Sequence, residues 1–112
     1  MTKTKLIKTT DPKEKALLVG VSLFGHQDLL SLEDSLAELA QLVDTDGVKV
    51  LGQVTQNLDH PNPKTFIGSG KVEEVKLLSE ELEADMVIFD NELSPRHQRE
   101  LEEIFGESIR VI

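Results

Sequence analysis

The amino-acid sequence predicts an α/β domain with a four-stranded, mostly parallel sheet and the element order β-α-β-α-β-α-β. Four short runs rich in Val, Ile and Leu alternate with three segments whose apolar residues recur at helical spacing. The runs are continuously apolar, as expected for strands covered on both faces. A helix between consecutive strands favours parallel pairing through right-handed crossovers. We expect the strand order 2-1-3-4, with helices on both faces and one face partly bare, because three helices cannot cover both faces equally.

The four strands and the first two helices can be placed from these apolar patterns. The predicted strands span residues 16–22, 48–55, 85–90 and 108–112. Ser31 is a favourable N-cap for the first helix, whose apolar stripe is Leu32, Leu36, Leu39 and Val43. The second helix is predicted to start near Ser69, and its stripe is Val72, Val75, Leu78 and Leu82. Each stripe predicts one buried helix face.

The third helix has capping signals at both ends. Ser94 is the predicted N-cap, and Pro95 follows at the first helical position, where a missing N–H costs no hydrogen bond. Gly106 is expected to end the helix. Its buried face is predicted to consist of Leu101, Ile104 and Phe105.

Composition limits the classes of protein to which the chain can belong. Its 112 residues suit a single domain with one core, and 38% hydrophobic with 29% charged residues is typical of globular proteins. The absence of cysteine excludes disulfides, thiolate chemistry and cysteine-ligated metals. No apolar run is long enough to cross a membrane, and no hydrophobic segment follows the Lys-rich start as in a signal peptide. We therefore expect a cytoplasmic protein without a membrane partner.

The net charge of −9 is unevenly distributed along the chain. Residues 1–15 contain five Lys against Asp11 and Glu14, a net +3, so residues 16–112 carry −12. Residues 1–13 are expected to form a flexible basic tail and residues 14–112 a single α/β domain. An acidic body repels phosphate backbones, so a contact with nucleic acid would need a local basic patch.

The apolar pattern also predicts an interface. Residues 109–112 form an apolar strand with no closing element after it, and the sheet is expected to have one partly bare face. Exposed apolar area of this kind usually marks an interaction surface. We expect either that the chain is a piece of a longer polypeptide or that it pairs with a second copy.

The segment Thr-Phe-Ile-Gly-Ser-Gly-Lys, from Thr65 to Lys71, leads from a long loop into the second helix. We call these seven residues the glycine segment. Its two glycines allow a sharp turn or a close approach to another molecule, and N–H groups at a helix start can bind an anion. The segment is not a P-loop, because Thr65 replaces the first glycine and Val72 replaces the magnesium-binding hydroxyl.

Two interpretations of the glycine segment stay open, and they can coexist. In the first, backbone N–H groups and a lysine contact the phosphate of RNA or of a nucleotide; the contact residues are Gly68, Ser69, Gly70 and Lys71. In the second, the two glycines shape a tight turn while Phe66 and Ile67 fill the core.

Charged residues elsewhere add three further indications. Arg96 and Arg99 lie three residues apart on the third helix and can hold a phosphate or carboxylate, although pairing with neighbouring Glu side chains is the commoner outcome. Asp90 lies at the carboxyl end of the third strand, and we expect it to accept hydrogen bonds from loop amides rather than act as an acid or base. The three histidines lack the spacing of a metal site.

Three ordered motifs resemble the N-terminal domain of the HflX family of GTP-binding proteins. They are Gly-Gln-Val-Thr-Gln at 52–56, Thr-Phe-Ile-Gly-Ser-Gly-Lys-Val-Glu-Glu at 65–74 and Phe-Asp-Asn-Glu-Leu-Ser-Pro at 89–95. The resemblance covers residues 14–112. In the third helix the family commonly has Gln, any residue, Arg, Asn, Leu and Glu, and His97 and Glu100 depart from this pattern.

The resemblance implies a longer parent that continues into a helical segment and a Ras-like GTPase domain, both of which this domain would contact. It also implies that the parent binds the large ribosomal subunit and its rRNA, and splits or rescues stalled ribosomes. GTP and Mg²⁺ would bind in the parent's GTPase domain. These 112 residues contain neither a P-loop nor the guanine-recognition motif Asn-Lys-x-Asp, so we expect no catalytic residue and no cofactor here.

The leading hypothesis is a non-catalytic ribosome-binding and regulatory domain. Its expected contact residues are Gly68, Ser69, Gly70, Lys71, Arg96 and Arg99. One alternative is an adenine-nucleotide-binding or ATPase domain that uses the glycine segment at the crevice where the strands end. Another is a homodimeric interaction scaffold that pairs through the bare face of the sheet.

Overall fold

The computed structural model describes residues 14–23 and 29–112 and has a four-stranded parallel sheet with three helices. The elements are β1 (Glu14–Leu23), α1 (Leu29–Thr45), β2 (Val48–Leu58), α2 (Ser69–Leu82), β3 (Met86–Phe89), α3 (Pro95–Phe105) and β4 (Arg110–Val111). The strand order is β2-β1-β3-β4, and each of the three pairs is parallel. The predicted fold class and strand order are confirmed. The prediction of a flexible tail at residues 1–13 falls outside the described residues.

β1 and β2 form a ribbon that is longer than the rest of the sheet. Their pairing ends at Leu23 opposite Leu58, whereas β3 pairs with β1 only opposite residues 16–19. The second strand therefore continues three residues beyond its predicted end, because β1 extends beside it. In contrast, the third and fourth strands are shorter than the predicted ranges 85–90 and 108–112.

A β-bulge interrupts β2 at Leu51. Ala16 of β1 lies opposite Val50, but the next residue of β1, Leu17, lies opposite Gly52, so Leu51 has no partner. One extra residue reverses which side chains point to which face. Accordingly, Val50 packs on the α1 side of the sheet, and Val54 packs on the opposite side.

The helices cover both faces of the sheet, as predicted, but in unequal numbers. α1 packs alone on one face, and α2 and α3 pack together on the other. The buried core on the α1 side consists of Ala16, Leu18, Leu32, Leu36, Met86 and Ile88. The core on the α2–α3 side is larger and includes Leu17, Val19, Val75, Val87, Leu101 and Phe105. Consecutive residues of β1 thus belong to opposite layers, as the strand periodicity requires.

The α1 face is open near β4. Arg110 pairs in register with Met86, which places it on the α1 side of the sheet, and its exposed side chain forms an ion pair with Glu14. Ile112, two residues further on, is 57% exposed. This edge is the partly bare region that the count of helices predicts. None of the three described helices is long and apolar enough to cross a membrane.

The end signals of α3 are confirmed, whereas the N-cap predicted for α1 is wrong. Ser94 caps α3, Pro95 follows at the start of the helix, and Gly106 ends it with φ +94°. α1 begins at Leu29, so Ser31 lies inside its first turn. Ser is compatible with the first turn as well as with the N-cap, and a single Ser therefore does not fix where a helix starts.

Candidate functional site

The glycine segment lies at the carboxyl edge of the sheet, where β2 passes through a loop into α2. Gly68 is the N-cap residue of α2, with φ −66° and ψ 156°, and no side chain caps the helix there. Ser69, Gly70 and Lys71 form the first turn of α2, whose N–H groups have no partner within the helix. The structure thus brings four of the six predicted contact residues together at one exposed helix start.

The sharp turn predicted for the two glycines is made by Phe66 instead. Neither Gly68 nor Gly70 has a left-handed backbone, whereas Phe66 has φ +70°. The Ile67 N–H donates to the carbonyl oxygen of Thr65 at 2.7 Å, which closes a γ-turn around Phe66. A bulky residue in this region costs on the order of 1–3 kcal/mol. The prediction that Phe66 and Ile67 fill the core is confirmed, since they are 6% and 0% exposed.

A second set of hydrogen bonds closes the loop before the glycine segment. Asn62 and Phe66 exchange two backbone hydrogen bonds, of 3.0 and 2.9 Å. The Asn62 side-chain oxygen accepts from the N–H groups of Lys64 and Thr65, at 2.9 and 3.4 Å. The Thr65 hydroxyl donates to the Ile67 carbonyl at 2.7 Å. The loop therefore has a fixed shape that does not depend on a ligand.

Gln56 of β2 connects the sheet to the start of α2. Its side-chain oxygen Oε1 accepts from the Gly68 N–H at 3.1 Å. A Cβ atom added at Gly68 would lie 3.2 Å from Gln56 Nε2, so glycine allows this close approach, whereas a Cβ at Gly70 would meet nothing within 4 Å. Gln56 is a site residue that was not predicted from the sequence, although it is the last residue of the Gly-Gln-Val-Thr-Gln motif at 52–56.

Lys71 is partly engaged within α2. Its ammonium group lies 3.0 Å from the Glu74 carboxylate, one turn further along the helix. The two side chains are 22% and 55% exposed, so a phosphate could compete for this lysine from solvent. Ser69 and Gly70 are also exposed.

Arg96 and Arg99 are exposed on α3, and none of the described Glu or Asp side chains forms an ion pair with either. The predicted intrahelical pairing is therefore absent from residues 14–23 and 29–112. The structure does not group Arg99 with the glycine segment. Arg99 instead lines a groove of about 500 Å³ with Glu102, Glu103, Gly106, Glu107, Ile109 and Arg110.

The N-terminal part of α3 is joined to the glycine segment through His97. The imidazole ring of His97 packs edge-on against the Phe66 ring, with 5.5 Å between ring centroids. The same histidine completes a capping box: its N–H donates to the Ser94 hydroxyl at 3.2 Å, and its Nδ1 accepts from the Ser94 N–H at 3.4 Å.

The charges of α2 and α3 oppose the usual preference of a helix dipole. Neither helix has an acidic residue in its first turn or a basic residue in its last turn. Cations lie in the first turns, at Lys71 and Arg96, and the last turns carry Glu80, Glu81, Glu102 and Glu103. Because helix N-termini favour anions, each of these placements costs stability, typically 0.3–1 kcal/mol. Lys71 and Arg96 thus add positive charge to two helix starts at the carboxyl edge, where Asp59, Asp90 and Glu92 also lie.

The crevice at the strand ends, where open α/β sheets usually bind ligands, is occupied by Asn91. The Asn91 side chain accepts from the Val21 N–H at 2.9 Å and donates to the Val21 carbonyl at 3.0 Å. Beside it, Asp90 accepts from the Ser35 hydroxyl at 2.9 Å, in place of the loop amides that the sequence predicted. Asn91, the second residue after β3, thus extends the sheet by one side chain, and its amide bonds to both the N–H and the carbonyl of Val21.

A narrower and mostly apolar groove lies beside the glycine segment, between the loop and helices α2 and α3. Its volume is about 340 Å³, and its lining residues are Asn62, Lys64, Thr65, Ser69, Val72, Glu73 and Ile104. No pattern in the sequence predicts this groove. The described residues contain no cluster of three or more His, Asp and Glu side chains that could hold a metal ion.

The comparisons with known proteins agree with the geometry. Residues 33–112 match the family model described as "GTP-binding GTPase N-terminal". The chain is 39% identical to the GTPase HflX of Lacrimispora saccharolytica, over 88% of this chain and 23% of that protein. It is 37% identical to the GTPase HflX of Flavobacterium psychrophilum, over 88% and 24%, and 34% identical to that of Escherichia coli K12, over 84% and 21%.

A solved structure shares the fold. A crystal structure described as SsGBP in complex with GDP superposes with a TM-score of 0.61 at 21% identity, over 87% of this chain and 26% of that chain. The chain thus spans about a quarter of the length of the relatives it matches. By the extent and identity of these matches, it belongs to the HflX family of GTPases and corresponds to the N-terminal domain of its members.

Proposed function

We propose that this domain is a non-catalytic recognition module that places an HflX-type GTPase on the large ribosomal subunit in the cytoplasm. Its contact surface is the carboxyl edge of the α2–α3 layer, and the other parts of the parent bind GTP and Mg²⁺. Through this contact the domain supports the splitting or rescue of ribosomes by the parent.

The reversed charge of α2 and α3 is the observation that carries the proposal. Lys71 and Arg96 add positive charge to two helix starts that are already positive. Because these two cations lower the stability of their helices, we attribute their presence to a role in binding. The polyanionic backbone of rRNA is a partner of matching charge, and the surrounding acidic surface restricts the contact to a small area.

The fixed shape of the glycine segment supports the same surface. Gln56 holds Gly68, and the Asn62–Phe66 pair closes the loop before it. The first turn of α2 is therefore already in place at the surface. Binding does not have to order a flexible loop, a step that would cost affinity.

The arrangement of Asn91 favours a recognition module over the alternative of an ATPase domain. In open α/β sheets, nucleotides bind where the strand order reverses, which here is between β1 and β3. Asn91 satisfies Val21 at this place, and Asp90 is bonded to Ser35. A nucleotide would have to displace these side chains.

The partly bare edge of the α1 face is available to the remainder of the parent. Ile112 is exposed there beside the Glu14–Arg110 ion pair. We include in the proposal that the helical segment and the GTPase domain dock near this edge, so that the ribosome-facing surface and the intramolecular surface lie on opposite faces of the sheet. The same apolar area would serve a homodimer if the domain acts alone.

The test is co-sedimentation of the 112-residue chain with purified large ribosomal subunits at low and moderate salt. We expect pelleting that weakens as salt rises, because phosphate contacts release counterions. The variant Lys71→Ala/Arg96→Ala should pellet at least several-fold less. Its matched control is Lys49→Ala/Lys76→Ala, which removes the same charge away from this edge. Equal pelleting of the two double variants, or none by the unmodified chain, would contradict the proposal.

A further inference from the structure

From the groove of about 340 Å³ beside the glycine segment, we infer that the domain accommodates one unstacked base of single-stranded RNA, with its phosphate at the first turn of α2. This inference rests on the proposed function and specifies the form of RNA that the surface recognises. The groove is bounded by the loop that contains Asn62 and Lys64, by the first turns of α2, and by Ile104 of α3.

The floor of the groove suits the flat face of a base. Val72 is 4% exposed and Thr65 is 7% exposed, while Ile104 is partly buried against the same core. Ligand pockets are typically apolar clefts of about 300–1,000 Å³ with a few polar groups that fix orientation. The volume and the lining of this groove fall within that description.

The rim of the groove supplies mostly hydrogen-bond donors. The Asn62 side-chain oxygen is used by the Lys64 and Thr65 N–H groups, which leaves its NH₂ group as a donor toward solvent. The Lys64 ammonium is exposed, and none of the described carboxylates pairs with it. Ser69, also exposed, adds a hydroxyl. Glu73 is the one carboxylate among the lining residues.

The hydrogen-bond donors at the rim favour a nucleotide over an apolar side chain of a protein partner as the ligand of the groove. An apolar side chain of a protein partner would fill the floor but offer no acceptor to the donors of Asn62, Lys64 and Ser69. A nucleotide has an apolar face, carbonyl and ring-nitrogen acceptors at its edge, and an anionic phosphate. Only a base that is not stacked in a duplex exposes its face, so the inferred ligand is a single strand.

The experiment measures binding of the 112-residue chain by fluorescence anisotropy. Three labelled probes of equal length are a single-stranded oligouridylate, an RNA duplex, and a ribose-phosphate oligomer that lacks bases. We expect the oligouridylate to bind about tenfold more tightly than the oligomer without bases, a difference of about 1.4 kcal/mol in binding free energy. The duplex should resemble the oligomer without bases.

Two variants test whether the groove causes this preference. Ser69→Trp places a large side chain at the groove and should abolish the tenfold difference, whereas Thr45→Trp, at the end of α1, should preserve it. Lys64→Ala should weaken the oligouridylate several-fold, and Lys49→Ala should not. If Ser69→Trp retains the base preference, or if all three probes bind equally, the inference is wrong.

The two proposals fail in different ways. Salt-sensitive pelleting with ribosomal subunits, combined with equal binding of the three probes, would overturn the groove inference and leave the proposed function intact. No pelleting and no binding of any probe would overturn both. A groove that captures an apolar peptide but shows no preference for bases would assign this surface to a protein and overturn the inference.

Discussion

The two faces of the sheet differ in their irregular features, although none of the three described helices has an acidic residue in its first turn or a basic residue in its last turn. On the α1 face, one amphipathic helix buries Leu32 and Leu36 and carries acidic side chains on its outer surface. On the other face, the irregular features of the described residues gather around α2. The non-glycine residues with positive φ are Phe66, just before α2, and Glu83, at its end.

The α2–α3 layer also contains unfavourable polar placements. Ser79 is fully buried, and its hydroxyl is without a hydrogen-bond partner. The charges of α2 and α3 oppose their dipoles. Local rules are typically broken where a surface serves binding, so the contrast supports the proposal that the contact surface lies on the α2–α3 face. The following three predictions test that contrast, from the largest expected effect to the smallest.

The first prediction concerns the core under α1. Leu36 is 0% exposed, and Leu36→Ala should lower the free energy of unfolding by about 3 kcal/mol, because it removes buried methyl groups and leaves a cavity. Urea denaturation measures the change. Leu42→Ala on the same helix, where the side chain is 66% exposed, should stay within about 0.5 kcal/mol. A loss below about 1 kcal/mol for Leu36→Ala would mean that α1 adds little to the core.

The second prediction concerns the buried hydroxyl in the opposite layer. Ser79→Ala should raise the free energy of unfolding by about 1 kcal/mol, because an unpartnered buried polar group costs its desolvation and Ala also has the higher helix propensity. Thermal and urea denaturation both report this gain. The exposed Ser108 provides a control, since Ser108→Ala should change stability by less than about 0.5 kcal/mol. A destabilised Ser79→Ala would show that the hydroxyl is satisfied in solution, for example by a buried water.

The third prediction separates stability from binding at the start of α3. Arg96→Glu should stabilise the domain by about 0.5 kcal/mol, since an anion replaces a cation in the first turn of a helix. The same change should weaken pelleting with large ribosomal subunits. The control Glu81→Lys gives a similar dipole gain in the last turn of α2 and should not weaken pelleting. If Arg96→Glu lowers both stability and binding, the charge reversal has a structural origin.

Patterns among neighbouring residues in the sequence are sufficient to predict much of the fold. The Ser94-Pro95 start and the Gly106 end of α3 were predicted correctly, because capping depends on residues a few positions apart. The parallel pairing of the strands also followed from the alternation of strands and helices. By contrast, the start of α1 was missed, since Ser31 fits either side of a helix boundary.

The site was less predictable because its key contacts join residues that are distant in sequence. Asn91 bonds to Val21 across 70 residues, and Gln56 bonds to Gly68 across 12. Neither hydrogen bond can be predicted from a pattern of neighbouring residues in the sequence. The turn itself was assigned to glycine, the residue with the lowest cost at positive φ, but Phe66 adopts that backbone because its ring is buried and its N–H and carbonyl both bond to Asn62.

The bulge at Leu51 makes it harder for copies of the domain to associate through the edge strand β2 in solution. β2 is an edge strand of 11 residues, long enough to template the addition of a foreign strand and so to seed aggregation. The unpartnered Leu51 disturbs the hydrogen-bond spacing near its first third, and a strand added from outside would lose register there. The extra residue Leu51 changes which core the β2 side chains point to. It therefore also disfavours polymerisation of the domain through its β2 edge.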